Sequence, residues 1–265
     1  MSLRDWRGGM TPTASKLLAL LLSAGPEGMS ARHLLFSLWG ESAPPSARQM
    51  LRAHVMKLRG QLGRDHWLIA KSSGQGYCLV LDDADVDARV FENLMRQGRS
   101  AINAGEYERA LRHLEEATAL WRGYRALSDV RDVLELEAEA VRLEELRLIA
   151  EELIADCSLL QGRASDLVPR LAALRVRYPL REKFLGQLML ALAACDRRIE
   201  AVEIYRKTRD VFIEQAGIEP SSRLAHLHLA LLRGDPWETV MSLIRSEASR
   251  PATSLPVTYG PPTHG

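Results

Sequence analysis

The sequence is short of cysteine, aromatic residues and long apolar runs, and each shortage excludes a class of protein. Cys78, Cys157 and Cys195 are the only three cysteines in 265 residues. They lie far apart with no second cysteine or histidine at ligand spacing, which excludes a disulfide framework and a metal site and suits small core residues in a reducing compartment. Apolar runs such as Leu17 to Leu22 fall far below the ~20 residues needed to span a bilayer. No charged-then-apolar leader precedes a cleavage site, so the expectation is a cytoplasmic protein with no membrane association. Nucleophile elbows, paired-carboxylate motifs and zinc signatures are also missing, so neither an enzyme nor a bound cofactor or metal is expected. Gly74-Gln75-Gly76 could pass for a phosphate loop, but no Lys-Ser or Lys-Thr follows it, and it does not join a strand to a helix.

What is present is leucine-rich and helical in pattern, with 46% hydrophobic, 26% charged and only 6% aromatic residues. The length suits two domains of ordinary size. A formal net charge of +1 conceals a sign asymmetry. Residues 1–80 hold ten Lys or Arg against four Asp or Glu, a net of +6, whereas residues 81–235 hold 23 against 28, a net of −5. A basic front joined to an acidic back is the distribution expected when only the front meets a polyanion.

The front half reads as three helices and a hairpin. Thr11 with Pro12 forms an N-cap followed by proline at the first helical position. Gly25, Pro26 and Gly28 end that helix, and Ser30 caps a second one carrying Leu34, Leu35, Leu38 and Trp39. The third helix, Ser46 to Leu62, opens on Ser46 and Gln49 in capping-box spacing. Ala47, Leu51, Val55, Leu58 and Leu62 recur at three- and four-residue steps and form its buried stripe. Opposite that stripe lie Gln49, Ala53, Met56, Lys57 and Gly60, with Arg48, Arg52, His54 and Arg59 on the flanks. A small outward centre, hydrogen-bonding side chains one turn either side and flanking cations suit entry into a DNA major groove. There base edges require Gln or Lys, and the groove walls require cations. Plainer roles are open to the same side chains: Gln49 can cap the helix, Lys57 can be a solvated surface charge and His54 a partly packed ring. Trp67 to Lys71 and Tyr77 to Leu81 then alternate as the two arms of a hairpin, with Lys71 near its tip.

The stretch LLFSLWGESAPPSARQMLRAHVMKLRGQLG, followed by GQGYCLVL, resembles the recognition helix and wing of the response-regulator type of winged helix, most closely the version in Streptomyces antibiotic regulatory proteins. That resemblance implies base-directed roles for Gln49, Ala53 and Lys57 and phosphate-directed roles for Arg52, His54 and Arg59. Two features depart from the family pattern. Only ten residues precede Thr11, too few for the sheet that normally opens the module. The wing carries Ser72 and Ser73, where an Arg usually enters the minor groove.

From Val86 onward helical patterns follow one another: Val86 to Ala104, Tyr107 to Trp121, Val130 to Leu160, Ala164 to Tyr178, Arg181 to Ala194, Arg198 to Gln215 and Ser221 to Leu232. Gly105, Tyr107, Ala110, Leu114 and Ala117 match the second half of a tetratricopeptide repeat. Leu167, Leu171, Leu174 and Pro179 echo it, as do Ala201, Tyr205 and Thr208. Leu167 and Ala201 stand 34 positions apart, the repeat period, whereas Ala110 and Leu167 are separated by 57. The charged stretch Glu135 to Glu152 interleaves Arg142 and Arg147 with carboxylates at the spacing of a solvated helix face.

EAEAVRLEELRLIAEELIAD, YPLREKFLGQLMLAL and EAVEIYRKTRDVFIEQAGIEPSSRL resemble the bacterial transcriptional activation domain that follows the winged helix in the same family. The combined expectation is a mostly α protein. Residues 10–81 form a winged helix-turn-helix without its N-terminal sheet, 86–236 form tetratricopeptide-like repeats, and 237–265 hold a short helix and a disordered proline-rich tail. The resemblance implies a transcriptional activator that binds double-stranded promoter DNA and contacts RNA polymerase or its sigma factor, with homodimerisation through the repeats. The rival reading is a helical-repeat interaction scaffold whose winged helix has lost DNA binding.

Overall fold

A computed structural model describes residues 10–62, 68–71, 75–237 and 239–240. The described residues divide into two compact units, one of residues 10–98 with 112–151 and one of residues 99–111 with 152–240. No helix among the described residues is long and apolar enough to cross a membrane.

In the first unit α1 (Pro12–Ser23) begins where the Thr11 hydroxyl accepts the Ala14 N–H. Its Leu17, Leu20 and Leu21 are fully buried. The chain then forms β1 (Met29–Ser30) and α2 (Ala31–Trp39), the latter capped by the Ser30 hydroxyl on the His33 amide. A turn through Pro44 leads into α3 (Ala47–Leu62). The hairpin follows as β2 (Ile69–Lys71) and β3 (Gly76–Leu79), and β3 lies between β2 and β1, antiparallel to both. Gly76 faces Ser30 across the ladder. A Cβ at position 76 would stand 1.9 Å from the Met29 carbonyl oxygen, so only glycine allows this approach.

Two expectations need correction. The sheet has a third strand at Met29–Ser30, which the sequence does not signal because two residues carry no alternation. The capping box at Ser46 and Gln49 does not form. The Pro44 carbonyl accepts the Ala47 N–H, so Ser46 lies within a turn; its carbonyl takes the Gln49 and Met50 N–H groups and its hydroxyl donates to Met50 Sδ at 3.7 Å. Residues 1–9, where the family's opening sheet would end, and Trp67, Ser72 and Ser73 lie outside the described residues, as does most of the segment after 237.

The core between α1, α2, α3 and the hairpin also includes Val130, Val133 and Leu136, all buried, with Leu127 packed against them. The helices α4 (Asp87–Asn103) and α5 (Tyr107–Ala119) precede this segment in sequence, and the long helix α6 (Leu134–Leu160) follows it. Helix α6 starts later than Val130, because residues 130–133 wind as turns that fit this core. Glu135 Oε1 accepts from Ser37 Oγ at 2.6 Å and lies 2.9 Å from His33 Nε2, while Lys16 pairs with Asp132. Burial pushes the Glu135 carboxyl up, but hydrogen bonds from Ser37, its own backbone and His33 outweigh this and hold it below the usual carboxylate range.

The second unit contains α7 (Ala164–Arg177), α8 (Glu182–Ala194), α9 (Arg198–Ala216) and α10 (Ser222–Arg233), each packed on the next. Helix α8 is central and buried from Leu188 to Leu192, and its Gln187 bridges to the Glu152 carbonyl and the Asp156 carboxylate, both at 2.7 Å.

The repeat register is visible in three helix corners. Gly105, Gly162 and Asp196 all adopt positive φ, at 75°, 73° and 61°. In each case the next amide reaches back to the preceding helix, from Glu106 to Ala101, Arg163 to Ser158 and Arg197 to Leu192. Ala110, Leu114 and Ala117 are fully buried, as the repeat pattern requires.

Candidate nucleic-acid interface

Helix α3 separates its residues by face. Ala47, Leu51, Val55 and Leu58 are buried, whereas Arg48, Gln49, Arg52, Ala53, Met56 and Lys57 are exposed. Burial of one stripe fixes the rotation of the helix, and 3.6-residue periodicity then aligns Gln49, Ala53, Met56 and Lys57 outward. The helix carries no acidic residue, and its polar face is therefore uniformly cationic. The Gln49 side chain makes no hydrogen bond among the described residues, and neither Arg48, Arg52, Lys57 nor Lys71 forms an ion pair there.

Several arginines of the helical region are instead paired with carboxylates. Arg131 pairs with Glu137 and Glu144, Arg142 with Glu92 and Glu139, Arg181 with Glu152, Arg197 with Glu200 and Arg209 with Glu219. Arg147 lies 5.0 Å from the rings of both Trp121 and Tyr124 and donates to the Gly123 carbonyl at 2.5 Å.

Two flanking residues differ from the others. Arg59 donates through Nε and Nη2 to the Ile69 carbonyl at 3.1 and 2.7 Å, which ties the end of α3 to the first strand of the wing. Its guanidinium thus fixes the angle between helix and wing. His54 is half-buried against the Trp39 ring, 6.3 Å between centroids. Burial first, and the neighbouring Lys57 second, depress its pKa and favour the neutral ring. Lys71 stands exposed at the last residue of β2, opposite Tyr77.

Sequence reasoning places Met56 on the outward face without counting it among the site residues. It is 64% exposed, and an exposed thioether side chain between Ala53 and Lys57 is an apolar surface suited to a thymine methyl group. The Arg59 bond to Ile69 carries no local signal, because its acceptor is a backbone atom across a turn.

A helix with a cationic, otherwise unengaged face, braced by a hairpin, defines a winged-helix DNA-binding regulator. Residues 7–79 match the family model "Transcriptional regulatory protein, C terminal", and residues 86–232 match "Bacterial transcriptional activator domain". The regulatory protein DnrI of Streptomyces peucetius is 35% identical over 238 residues, covering 86% of this chain and 87% of that protein. AfsR of Streptomyces coelicolor is 33% identical over 96% of this chain, which spans 26% of its length. The solved structure "Mycobacterium tuberculosis EmbR in complex with low affinity phosphopeptide" superposes with a TM-score of 0.82 at 30% identity, covering 89% of this chain and 64% of that one. The chain belongs to the Streptomyces antibiotic regulatory protein family of transcriptional regulators. This membership supports the regulator reading over the scaffold reading, and it is a family of regulators, not of enzymes.

Proposed function

We propose that the chain acts in the cytoplasm as a promoter-specific activator, with α3 in the major groove as its reading element. Gln49, Ala53, Met56 and Lys57 face base edges. Arg48, Arg52 and Lys71 contact phosphate, Arg59 holds the wing at the required angle, and His54 packs against Trp39 beneath the surface. The observation that carries this reading is the face of α3 itself: the helix holds no carboxylate, and Arg48, Arg52 and Lys57, with Lys71 on β2, are exposed without an ion pair among the described residues, as a phosphate-binding surface requires.

The repeats of residues 86–236 are the proposed surface for self-association and for contact with RNA polymerase or its sigma factor, and residues 10–81 carry the DNA-directed groups. The test is binding to the protein's own promoter region by the full chain and by Lys57→Ala. Loss of a base-directed contact costs about 1–3 kcal/mol and relaxes preference at one base pair. Equal weakening on promoter and random DNA would remove Lys57 from the reading set.

A further inference from the structure

The winged-helix core is completed by side chains that follow it in sequence by some fifty positions. Val130, Val133 and Leu136 are 6%, 4% and 0% exposed and belong to the same cluster as Leu17, Leu20, Leu34, Leu51 and Val55. Without them, the apolar sides of α1 and α2 that they cover would face water. A polar clasp surrounds this contact, in which Glu135 takes hydrogen bonds from Ser37 and His33 of α2 and Asp132 pairs with Lys16 of α1. At the entry to the segment Leu127 adopts φ 49°, a left-handed conformation unfavourable for a branched side chain. Such strain persists only where surrounding contacts enforce it. Here the enforcing contacts are the packing of the partly buried Leu127 against the winged-helix core and the Val130 N–H bond to the Leu127 carbonyl.

We propose that residues 127–136 are a strap that opens and closes with the winged helix as one cooperative unit, so that releasing the strap switches DNA binding off. The strap is also pinned to α6, where Arg131 bridges Glu137 and Glu144 and the Ala126 N–H, just before the strap, donates to Glu144. A pull on α6 is thereby delivered to the core beneath the recognition helix. The DNA-dependent half of this proposal rests on the function proposed above, and the strap itself does not.

Hydrogen exchange on the full chain tests it in two arms. In the first, Leu136→Ala opens a cavity in the shared core and speeds exchange of amides in α1, α2 and α3 by about 30-fold or more, leaving α8 unchanged. The milder Glu135→Gln serves if Leu136→Ala does not fold, and it accelerates the same helices by a smaller factor. In the second arm, promoter DNA at 100 times its Kd slows the Val130, Val133 and Glu137 amides about 100-fold together with those of α1 and α2, because a ligand of the closed state raises the opening free energy of every amide in the unit. Unchanged exchange in α1–α3 in the variants, or equal acceleration in α8, would overturn the strap, as would DNA that protects α3 and leaves residues 130–137 untouched. DNA that protects nothing removes the proposed function, and the variant arm then decides the strap alone.

Discussion

Arg52 and Arg59 look equivalent on a helical wheel, and the structure gives them different consequences when each is changed to alanine. In the function proposed above, three exposed cations, Arg48, Arg52 and Lys71, neutralise phosphates, each contributing about −0.9 to the slope of log K against log salt. The slope for one module is then about −2.7, and raising salt from 50 to 200 mM weakens binding by about 40-fold. Arg52→Ala removes one contact, so the slope becomes about −1.8 and the same change in salt costs only about 12-fold. Its melting temperature stays put, because Arg52 is exposed and bonded to nothing among the described residues. Arg59→Ala instead removes both bonds to the Ile69 carbonyl. Ile69 is 1% exposed, so the loss costs about 1–3 kcal/mol of stability and leaves the salt slope near its original value. Fluorescence anisotropy with labelled promoter DNA at four salt concentrations, beside thermal melts, separates the two effects. An Arg59→Ala protein with intact melting and a shallower slope, or an Arg52→Ala protein with an unchanged slope, would refute the assignment.

Further expectations concern the helical repeats. Ala110→Arg forces a long charged side chain into a fully buried position of α5 and lowers the melting temperature by a margin of about 3 kcal/mol or more; an unchanged melt would show the repeat register to be wrong. Asp196→Gly relieves a left-handed φ of 61° and stabilises by about 0.5–1 kcal/mol after the greater flexibility of the unfolded chain is counted, which a denaturant midpoint will show. His228 stacks on Tyr205 at 4.1 Å, and burial first and Arg206 second depress its pKa. The unfolded chain therefore takes up this proton before the folded one, so the stability present above about pH 6.5 falls as pH drops through the depressed folded value. His228→Phe flattens that fall, and a variant with the same acid limb as the unaltered chain would count against it.

The elements that are legible from sequence carry their own local signals. Thr11 and Ser30 announce helix starts, and the Ala47-Leu51-Val55-Leu58 stripe gives both the existence of α3 and the face it presents. The repeats are readable at Gly105, since glycine marks a left-handed corner, whereas the same turn at Gly162 and at Asp196 emerges only from the structure. What escapes depends on distant partners. The strand at Met29–Ser30 exists because β3 lies beside it. Arg59 reads as one more surface cation until the Ile69 carbonyl is placed under it. Val130, Val133 and Leu136 look like the front of α6, with its apolar spacing, and nothing local shows that their burial is against α1 and α2. His54 is a candidate phosphate ligand by resemblance, and its burial, which with Lys57 lowers its pKa, carries no local signal.

The shared core has a consequence for exchanging parts between relatives. Gly105 and Gly162 are 57 positions apart, whereas Gly162 and Asp196 are 34 apart, and the longer interval is the one that holds residues 127–136. A chimaera joined at residue 85 would pair one protein's Val130, Val133 and Leu136 with the groove of another's α1 and α2. A junction that keeps those three side chains with their own groove lies beyond Leu136, so the smallest DNA-reading part that carries its whole core is more than half of the 265 residues.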